Sequence, residues 1–298
     1  MKILVTGKNG QLGRSIQNLI SNFDHHEFSF VGREEFDLSS SDSISNFFDT
    51  HSHFDVIINC AAYNAVDKAE KEIDLADKIN HLAVKQMAVI ANSHNIKFIH
   101  ISTDYVFDGK KFSPYLEIDH PNPLNIYGNT KLLGERAIFN TMTRNAIILR
   151  TSWVFSEFGN NFVKTMLELG SNRSHISVVS DQFGSPTYAK DLAETILNII
   201  STESFRNNSF PTEIYHLSNS GETSWYEFAK EIFSLINLDC KVISVSSEQY
   251  PLSVLRPRNT ILNKEKIIEK FKLQIPSWQQ SLKECLREIK QSKIDLSN

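Results

Sequence analysis

Residues 2–13 read KILVTGKNGQLG, an apolar run that leads into three glycines, Gly7, Gly10 and Gly13. The run predicts a buried strand, and the helical spacing of apolar residues in 10–22 (GQLGRSIQNLISN) predicts a helix directly after it. Glycines at such a junction permit a tight turn, a close approach of backbone N–H groups to a pyrophosphate, and tight packing of helix on strand. Their spacing is G-x-x-G-x-x-G, not the commoner G-x-G-x-x-G. We interpret the stretch as a dinucleotide-binding loop; a purely structural glycine turn is the alternative.

The first half of the chain continues to alternate between apolar strands and helices. We predict strands in 27–32 (EFSFVG), 55–61 (DVIINCA), 96–103 (IKFIHIST) and 145–155 (NAIILRTSWVF), and helices in 39–51, about 72–93 and 127–140. Strands that are apolar on both faces and separated by helices are typical of a parallel sheet covered on both sides. The predicted fold class is therefore α/β, a doubly wound, Rossmann-like parallel sheet.

The second half has shorter and less regular elements, which indicates a smaller C-terminal lobe interleaved with the sheet. We predict an NADP(H)-binding domain in 1–151, to which about 178–220 returns. We assign 152–177 and 221–298 to a substrate-binding lobe.

The composition is that of an ordinary globular protein, with 298 residues, 41% hydrophobic and 22% charged. A net charge of −4 gives no reason to expect nucleic acid or an anionic membrane as a partner. No apolar stretch reaches the roughly 18 residues that span a bilayer, and the start, MKILVTGKNG, lacks the features of a signal peptide. Three widely spaced cysteines predict neither a disulfide framework nor a metal site. We therefore expect a reduced, cytoplasmic protein without a bound metal.

The end of the second predicted strand bears on the choice of nicotinamide cofactor. An acidic residue about 20 positions past the glycine loop normally holds the ribose 2′-hydroxyl of NAD. The strand here ends in VGR (31–33) without an acid, and Lys8 adds a second positive charge from the loop. Since a guanidinium pairs well with phosphate, we predict that Arg33 binds a 2′-phosphate and that the cofactor is NADPH. NADH stays open, because Arg33 stacked on the adenine explains the same residue. Asp37 and Leu38, just beyond, are placed near the adenine.

A tyrosine and a lysine four residues apart, Tyr127 and Lys131, begin a predicted helix and share one of its faces. A free phenol has a pKa of about 10, and a neighbouring ammonium lowers that pKa toward the working range of an acid–base group. Thr103 ends the preceding strand, where its hydroxyl is placed to hold a carbonyl that is being reduced; Asp104 and Tyr105 follow and shape its pocket. Alone, a Tyr-x-x-x-Lys pair is more often a surface pair. Together with the glycine loop and Thr103 it predicts a reductase site.

The glycine loop and the Tyr127–Lys131 pair resemble those of the extended short-chain dehydrogenase/reductase family. Within it, motifs in order from residue 1 to about 280 resemble those of the dTDP-4-dehydrorhamnose reductases: CAAYNAVDKAE (60–70), STDYVFDG (102–109), NIYGNTKLLGE (125–135), RTSWVF (150–155), GNNFVKTM (159–166), DQFGSPTYAKDLA (181–193) and RP (256–257). The resemblance implies the last step of dTDP-L-rhamnose synthesis. In that step NADPH reduces the C4 keto group of dTDP-4-dehydro-6-deoxy-L-mannose, while Tyr127 protonates the C4 oxygen.

The resemblance also implies roles for individual residues. Those implied to bind the cofactor are Gly10, Gln11 and Leu12 at the pyrophosphate, Asp37 and Leu38 at the adenosine, and Ala61, Ala62 and Tyr63 after the third strand. Thr103 and Asp104 are implied to hold the sugar. Trp153 is implied to form an apolar wall over it, although an aromatic residue between two domains is the alternative. Arg256 either pairs with the substrate diphosphate or ties the last segment to the body of the protein.

Two positions depart from the family pattern. Some members dimerise through carboxylates bridged by magnesium, but this chain has Ser15 and Lys190 at the matching places. We therefore predict neither the metal nor that dimer, while another homodimer stays open. A threonine of the family motif is replaced by Asn64, with an effect that the sequence does not define.

Four other functions fit parts of the pattern. A nucleotide-sugar 4,6-dehydratase resembles this fold but carries an Asp-Glu pair after the threonine, where this chain has Asp104 and Tyr105. A 4-epimerase needs only the tyrosine and a sugar that can rotate. A reductase that gives the other C4 epimer, or acts on another nucleotide sugar, is a third option. A non-catalytic NADP-binding regulatory subunit is the fourth. The intact Tyr127 and Lys131 argue against it.

Overall fold

A computed structural model describes residues 1–51, 53–250 and 253–295 of the chain. The strands are β1 (Lys2–Thr6), β2 (Glu27–Val31), β3 (Val56–Asn59), β4 (Lys97–Thr103), β5 (Ala146–Thr151), β6 (Val154–Phe155), β7 (His175–Val179), β8 (Phe183–Gly184), β9 (Thr187–Tyr188), β10 (Glu213–His216), β11 (Thr223–Ser224) and β12 (Lys241–Val245). The helices are α1 (Gln11–Leu19), α2 (Ser41–Thr50), α3 (Val66–Ala69), α4 (Ile73–Asp77), α5 (Ala83–Ser93), α6 (Ile126–Thr141), α7 (Phe162–Asn172), α8 (Ala189–Ser201), α9 (Glu203–Asn207), α10 (Trp225–Ile236), α11 (Glu265–Phe271) and α12 (Trp278–Asp295).

The central sheet is parallel and has six strands in the order β10-β5-β4-β3-β1-β2. The chain leaves β1 for β2 on one side and then crosses to β3 on the other, so the strand order reverses at β1. In doubly wound sheets a ligand binds outside the carboxyl ends of the strands at such a switch point. The predicted fold class is confirmed.

Both faces of this sheet are buried, as the apolar strands predict. Ile3 and Val5 pack into a core with α1 and α8, whereas Leu4 between them packs into a second core with α2, α5 and α6. Successive side chains of a strand point to opposite faces, so a strand covered on both sides is apolar throughout. The predicted helix at about 72–93 is also present, as α4 and α5 joined by a π-helical turn at Lys78–Leu82.

The predicted strand 145–155 is wrong in one respect, because it is broken at Trp153. Trp153 adopts a left-handed backbone with φ of 48°. This conformation ends β5 and sends the next residues into β6, which pairs with β9 in a small separate sheet. The bend places the indole at the carboxyl edge of the central sheet.

The lobe beside the sheet has its own core, formed by α7, β7, α10 and α12 around residues such as Val163, Phe228 and Leu282. The chain segments that form the lobe are interrupted by α8 and β10, which belong to the central domain. Ile267 of α11, within the segment predicted as lobe, packs in the core of the central domain. The proposed domain limits otherwise stay a prediction. None of the helices in the described residues is long and apolar enough to cross a membrane.

Candidate active site

A cleft of about 520 Å³ lies along the carboxyl ends of the central strands, between the sheet and the lobe. The predicted site residues that line it are Gly10, Gln11, Leu12, Ala62, Thr103, Asp104, Tyr105, Tyr127, Lys131 and Trp153. The predicted residues outside its lining are Gly7, Gly13, Arg33, Asp37, Leu38, Ala61, Tyr63 and Arg256. Trp225 and Asn161 also line it and were not predicted.

The glycine loop forms one wall of this cleft, at the switch point. Gly7 has φ of 73°, and a Cβ on it would lie 2.9 Å from the backbone nitrogen of Ala61. A Cβ on Gly13 would overlap the carbonyl oxygen of Gly7. Gly10 caps the amino end of α1 and faces open space, since a Cβ there would meet only the Gly7 carbonyl oxygen, at 3.3 Å. The first N–H groups of α1 therefore open toward the cleft, which suits a pyrophosphate.

The side chain of Gln11 connects this loop to the lobe. Its Nε2 donates to the Val154 carbonyl at 3.3 Å, and its Oε1 accepts from Ser156 Oγ at 2.9 Å and from Asn161 Nδ2 at 3.0 Å. The Gln11 side chain is therefore engaged with the lobe, while its backbone belongs to the amino end of α1. The same contacts fix the segment that carries Trp153.

The two basic residues predicted near the adenosine are both paired with carboxylates. Lys8 forms an ion pair with Glu35, and Arg33 Nε lies 3.7 Å from Asp37 Oδ2 with the arginine side chain 79% exposed. Glu35 Oε2 also accepts from the Gly32 N–H at 2.9 Å. Glu35, two residues beyond the VGR stretch, therefore folds back onto the end of the second strand. The predicted binding of a 2′-phosphate by either basic group would require it to exchange its carboxylate partner for the phosphate.

Asn80, a residue that the sequence analysis did not identify, hydrogen-bonds the segment that follows β3. Asn80 lies in the π-helical turn; its Oδ1 accepts from Tyr63 N at 2.8 Å and its Nδ2 donates to the Tyr63 carbonyl at 3.1 Å. Ala61 N donates to Thr6 Oγ1 at 3.3 Å. The Tyr63 hydroxyl donates to Glu72 at 2.8 Å, so its phenol is held beside the start of α4 and not in the cleft.

Tyr127 stands at the start of α6, where Asn125 caps the helix by accepting from Gly128 N at 2.9 Å. Its ring packs edge-on against that of Tyr105, with 5.8 Å between centroids. Burial raises the pKa of Tyr127 to about 12, against the lowering effect of the neighbouring Thr103 hydroxyl. At neutral pH the phenol is therefore protonated and can act as a proton donor.

Lys131 is buried one turn further along α6. Its Nζ donates to the Ile101 carbonyl at 2.6 Å and lies 3.3 Å from His100 Nε2. Burial lowers the pKa of Lys131 to about 8, while Glu135 opposes that shift. The expectation that Lys131 lowers the pKa of Tyr127 is wrong for this arrangement, because the ammonium is turned to the backbone and burial dominates at the phenol.

Thr103 and Asp104 end β4 at the floor of the cleft. Thr103 Oγ1 accepts from Tyr105 N and donates to Asp104 Oδ1, each at 3.1 Å. Asp104 is 2% exposed, and its Oδ2 is buried without a hydrogen bond to the described residues. Burial raises the pKa of Asp104 to about 7, against the lowering effects of the neighbouring Thr260 and Thr103 hydroxyls. Among the described residues, no hydrogen bond reaches Oδ2 of this carboxyl, which belongs to the STDYVFDG motif (102–109).

Two tryptophans form the lobe wall of the cleft. The indole of Trp153 stacks on that of Trp225, with 3.5 Å between ring centroids and 8° between planes. Trp225 begins α10, and no sequence pattern connects it to Trp153. The pair gives the cleft a flat apolar surface of the kind that packs on a sugar ring.

Arg256 lies at the rim. Its Nη2 donates to Asp67 Oδ2 at 2.8 Å, and its Nε is buried without a partner among the described residues. Of the two roles predicted for Arg256, the pairing that ties the last segment to α3 is therefore present. Pairing of Arg256 with a diphosphate stays a prediction. No group of three or more His, Cys, Asp or Glu side chains in the described ranges stands close enough to hold a metal ion.

Reductases of the short-chain dehydrogenase class use this layout, with a dinucleotide across the switch point and a tyrosine–lysine pair beside it, and we assign the chain to that class. Comparison with known proteins narrows the assignment. The family model described as RmlD substrate binding domain matches residues 1–291. The dTDP-4-dehydrorhamnose reductase of Aggregatibacter actinomycetemcomitans is 40% identical over 289 residues, which cover 95% of this chain and 97% of that protein.

Two solved structures are also similar over nearly their whole length. One is a dTDP-4-dehydrorhamnose reductase of Clostridium acetobutylicum, with a TM-score of 0.90, 38% identity, and coverage of 97% of this chain and 100% of that one. The other is a dTDP-4-dehydrorhamnose reductase of Bacillus anthracis in complex with NADP, with a TM-score of 0.89, 38% identity, and coverage of 96% and 99%. The chain belongs to the RmlD substrate binding domain family, and the predicted family relationship is confirmed.

Proposed function

We propose that this protein reduces the C4 keto group of dTDP-4-dehydro-6-deoxy-L-mannose with NADPH and so produces dTDP-L-rhamnose. The observation that carries this proposal is the meeting of Thr103, Tyr127 and Lys131 in one cleft with the glycine loop. Relatives that carry the name of this reductase over nearly full length support the choice of substrate, and the NADP in one of them supports the cofactor. The reaction belongs in the cytoplasm, with a dTDP-linked 4-keto-6-deoxy sugar as the partner.

The glycine loop and the strand ends supply the proposed cofactor site. The N–H groups of Gly10, Gln11 and Leu12 receive the pyrophosphate at the amino end of α1, which favours an anion. The proposed adenosine end lies near Arg33, Asp37 and Leu38, and the backbone of Ala61, Ala62 and Tyr63 borders the path between. When bound, NADPH supplies the hydride that reduces the carbonyl carbon.

The proton comes from the protein. Tyr127, protonated at neutral pH, donates its phenolic proton to the C4 oxygen as the carbonyl is reduced, which completes the alcohol. The Thr103 hydroxyl, when its O–H turns from Asp104 Oδ1 to the substrate, hydrogen-bonds the same oxygen and orients it. Lys131 borders the same cleft, and its Nζ has to turn from the Ile101 carbonyl to stabilise the phenolate left behind.

The sugar nucleotide is held by groups around this centre. Asp104, with its free oxygen, accepts from a sugar hydroxyl, and Tyr105 borders the same pocket. The Trp153 indole covers the apolar face of the sugar. Arg256 at the rim reaches the diphosphate if its pairing with Asp67 is exchanged.

Consumption of NADPH with dTDP-6-deoxy-L-lyxo-4-hexulose, followed by identification of the product, tests the proposal. Rapid oxidation of NADPH that yields the rhamnose epimer is the expected result. The 6-deoxytalose epimer contradicts the assigned stereochemistry and leaves the chemistry intact. NADPH binding without turnover contradicts the proposal and favours a non-catalytic NADP-binding subunit.

A further inference from the structure

A row of buried polar side chains crosses the sheet beneath the proposed site. Thr6, Asn59 and His100 lie in register on the neighbouring strands β1, β3 and β4, and His100 reaches Lys131 on α6. Thr6 Oγ1 lies 2.6 Å from Asn59 Oδ1, Asn59 Nδ2 lies 3.0 Å from His100 Nδ1, and His100 Nε2 lies 3.3 Å from Lys131 Nζ. All four residues are at most 1% exposed.

This row stands out against its surroundings. Two residues earlier on the same strands and the same face, the row is Leu4, Ile57 and Phe98, all in the apolar core. Burying polar groups costs free energy unless each is hydrogen-bonded. The change from an apolar to a polar row occurs where the row meets Lys131, which points to a role that involves this lysine.

The hydrogen-bonding capacity of the row fits both protonation states of Lys131. A neutral imidazole has one donor and one acceptor nitrogen, and the oxygen and nitrogen of an amide are assigned from their partners. If Asn59 Nδ2 donates to His100 Nδ1, then Nε2 carries the proton and faces a neutral amine. If the amide is turned over, Oδ1 accepts from Nδ1, and Nε2 accepts from an ammonium. The Thr6 hydroxyl serves either orientation, because it both donates and accepts.

We propose that His100 is a positioning residue for Lys131, which hydrogen-bonds the amine in both protonation states and, with Asn59 and Thr6, sets how tightly Lys131 holds its proton. This inference rests on the proposed function for its role in turnover. In reduction, Lys131 acts as a cation beside the tyrosine and has to retain or recover its proton in each cycle. A partner that accepts from the ammonium and donates to the amine keeps the buried nitrogen satisfied throughout.

The other charged or titratable groups around Lys131 are bound to other partners or lie on the sugar side of the cleft. Glu135 on α6 favours the ammonium, but its carboxylate is bound by Arg150, with Nε at 2.9 Å and Nη2 at 2.6 Å. The second cause of the lowered pKa of His100, after burial, is the charge of Lys131, so the imidazole is neutral. Asp104 and Tyr127 border the same cleft from the side of the sugar.

Substitution of His100 by asparagine or by glutamine tests the contacts of its two ring nitrogens separately. His100→Asn keeps a polar group at the position of Nδ1 and loses the contact with Lys131, whereas His100→Gln reaches Lys131 with an acceptor oxygen. His26→Asn is the matched control, because His26 is also buried and hydrogen-bonded through Nε2, to Ser201 at 3.2 Å, at the opposite end of the sheet. The measurements are the pH dependence of kcat/KM and the titration of Lys131 Nζ by ¹⁵N NMR, assigned with Lys131→Met.

Loss of an acceptor disfavours the ammonium, so His100→Asn is expected to lower the titration pH of Lys131 by about one unit or more, a tenfold loss of proton affinity. The alkaline limb of kcat/KM is expected to move in the same direction. His100→Gln and His26→Asn are expected to stay within about 0.3 units of wild type, small against that shift.

An unchanged Lys131 titration in folded His100→Asn overturns the inference, and so does an equal shift in His100→Gln. If His100→Asn does not fold, His100→Leu, which also lacks the acceptor, decides by the same titration. The NMR titration needs no substrate. Failure of the wild-type protein to reduce the keto sugar would therefore reject the proposed function and still leave the effect of His100 on Lys131 measurable.

Discussion

Gly184→Ala is expected to push the Trp153 indole out of its place in the cleft wall. A Cβ on Gly184 would lie 2.6 Å from Cε2, 2.8 Å from Nε1 and 2.9 Å from Cζ2 of that indole. Carbon atoms normally approach to about 3.5–4.0 Å, so the ring has to retreat by about 1 Å. Neither partner yields easily, because Gly184 is paired with Thr223 in β11 and the indole is stacked on Trp225.

The size of the effect follows from that overlap. Forcing extra volume into a packed contact costs about 1–3 kcal/mol of unfolding free energy. A displacement of about 1 Å at a substrate-positioning group costs up to about 100-fold in rate. Because Trp153 is proposed to contact the sugar and not the cofactor, we expect kcat/KM for the sugar nucleotide to fall while NADPH affinity is retained.

Urea unfolding and steady-state kinetics of a double-mutant cycle test this expectation. Trp153→Phe presents a smaller ring, so it should relieve part of the overlap, and the double variant should be more stable than the sum of the single effects by about 0.5–3 kcal/mol. Gly32→Ala is the control, since the atoms nearest to its Cβ belong to the flexible Lys8 side chain, at 3.1 and 3.3 Å, and to the Asn9 amide, at 3.4 Å. Wild-type stability and turnover in Gly184→Ala, or strict additivity in the cycle, would refute the reasoning.

Three further predictions concern Tyr127, a buried ion pair and Asp104. Tyr127→Phe is expected to lower kcat at least about 100-fold, the low end of a general acid's contribution, and to leave NADPH binding intact; Tyr105→Phe is the matched control, and near-wild-type kcat in Tyr127→Phe would disprove the assigned role. Glu135→Gln is expected to cost about 3–5 kcal/mol in urea unfolding, because it leaves the charge of Arg150 buried without its partner, both side chains being 2% exposed. Since burial raises the pKa of Asp104 to about 7, the folded state binds this proton more tightly than the unfolded chain, and wild-type stability gains as pH falls from about 7 to about 4. Asp104→Asn stays neutral, so its stability relative to wild type should be greatest above pH 7 and shrink toward pH 4 in urea titrations; a difference independent of pH contradicts the buried carboxyl.

The sequence predicted five of the six strands of the central sheet because their apolar runs alternate with helical patterns. It did not predict β10, which reads EIYH and has no apolar run. Helix caps, which depend only on residues close in sequence, were equally open to prediction. The serine cap of α2 is an example: Ser40 Oγ accepts from Ser43 N. The break at Trp153 was not readable, because a left-handed tryptophan is rare and is held here by the stacking of Trp225 from a distant helix.

The site residues likewise fall into those that the sequence motifs identified and those that only the structure shows. The motifs identified Tyr127 and Lys131 because both lie on one helix at a recognisable spacing. They did not identify Asn80, Glu35 or His100, whose partners come from other elements and meet them only in the folded chain. The direction of the pKa shift at Tyr127 was missed for the same reason: sequence shows a lysine nearby, and only the structure shows where its nitrogen points and how deeply the phenol is buried.

Burial shifts the three titratable groups at the floor of the cleft toward their neutral forms. The pKa of Tyr127 rises to about 12, that of Asp104 rises to about 7, and that of Lys131 falls to about 8. In the proposed reaction, the phenolate that Tyr127 leaves is a stronger base than the Lys131 amine, so transfer of a proton from Lys131 to Tyr127 is downhill. The order of these pKa values therefore keeps Tyr127 protonated at neutral pH, which is the form that the proposed reduction requires. It also makes recovery of the Lys131 proton the step that the surrounding hydrogen bonds have to support, and His100 is the neutral group placed to do so.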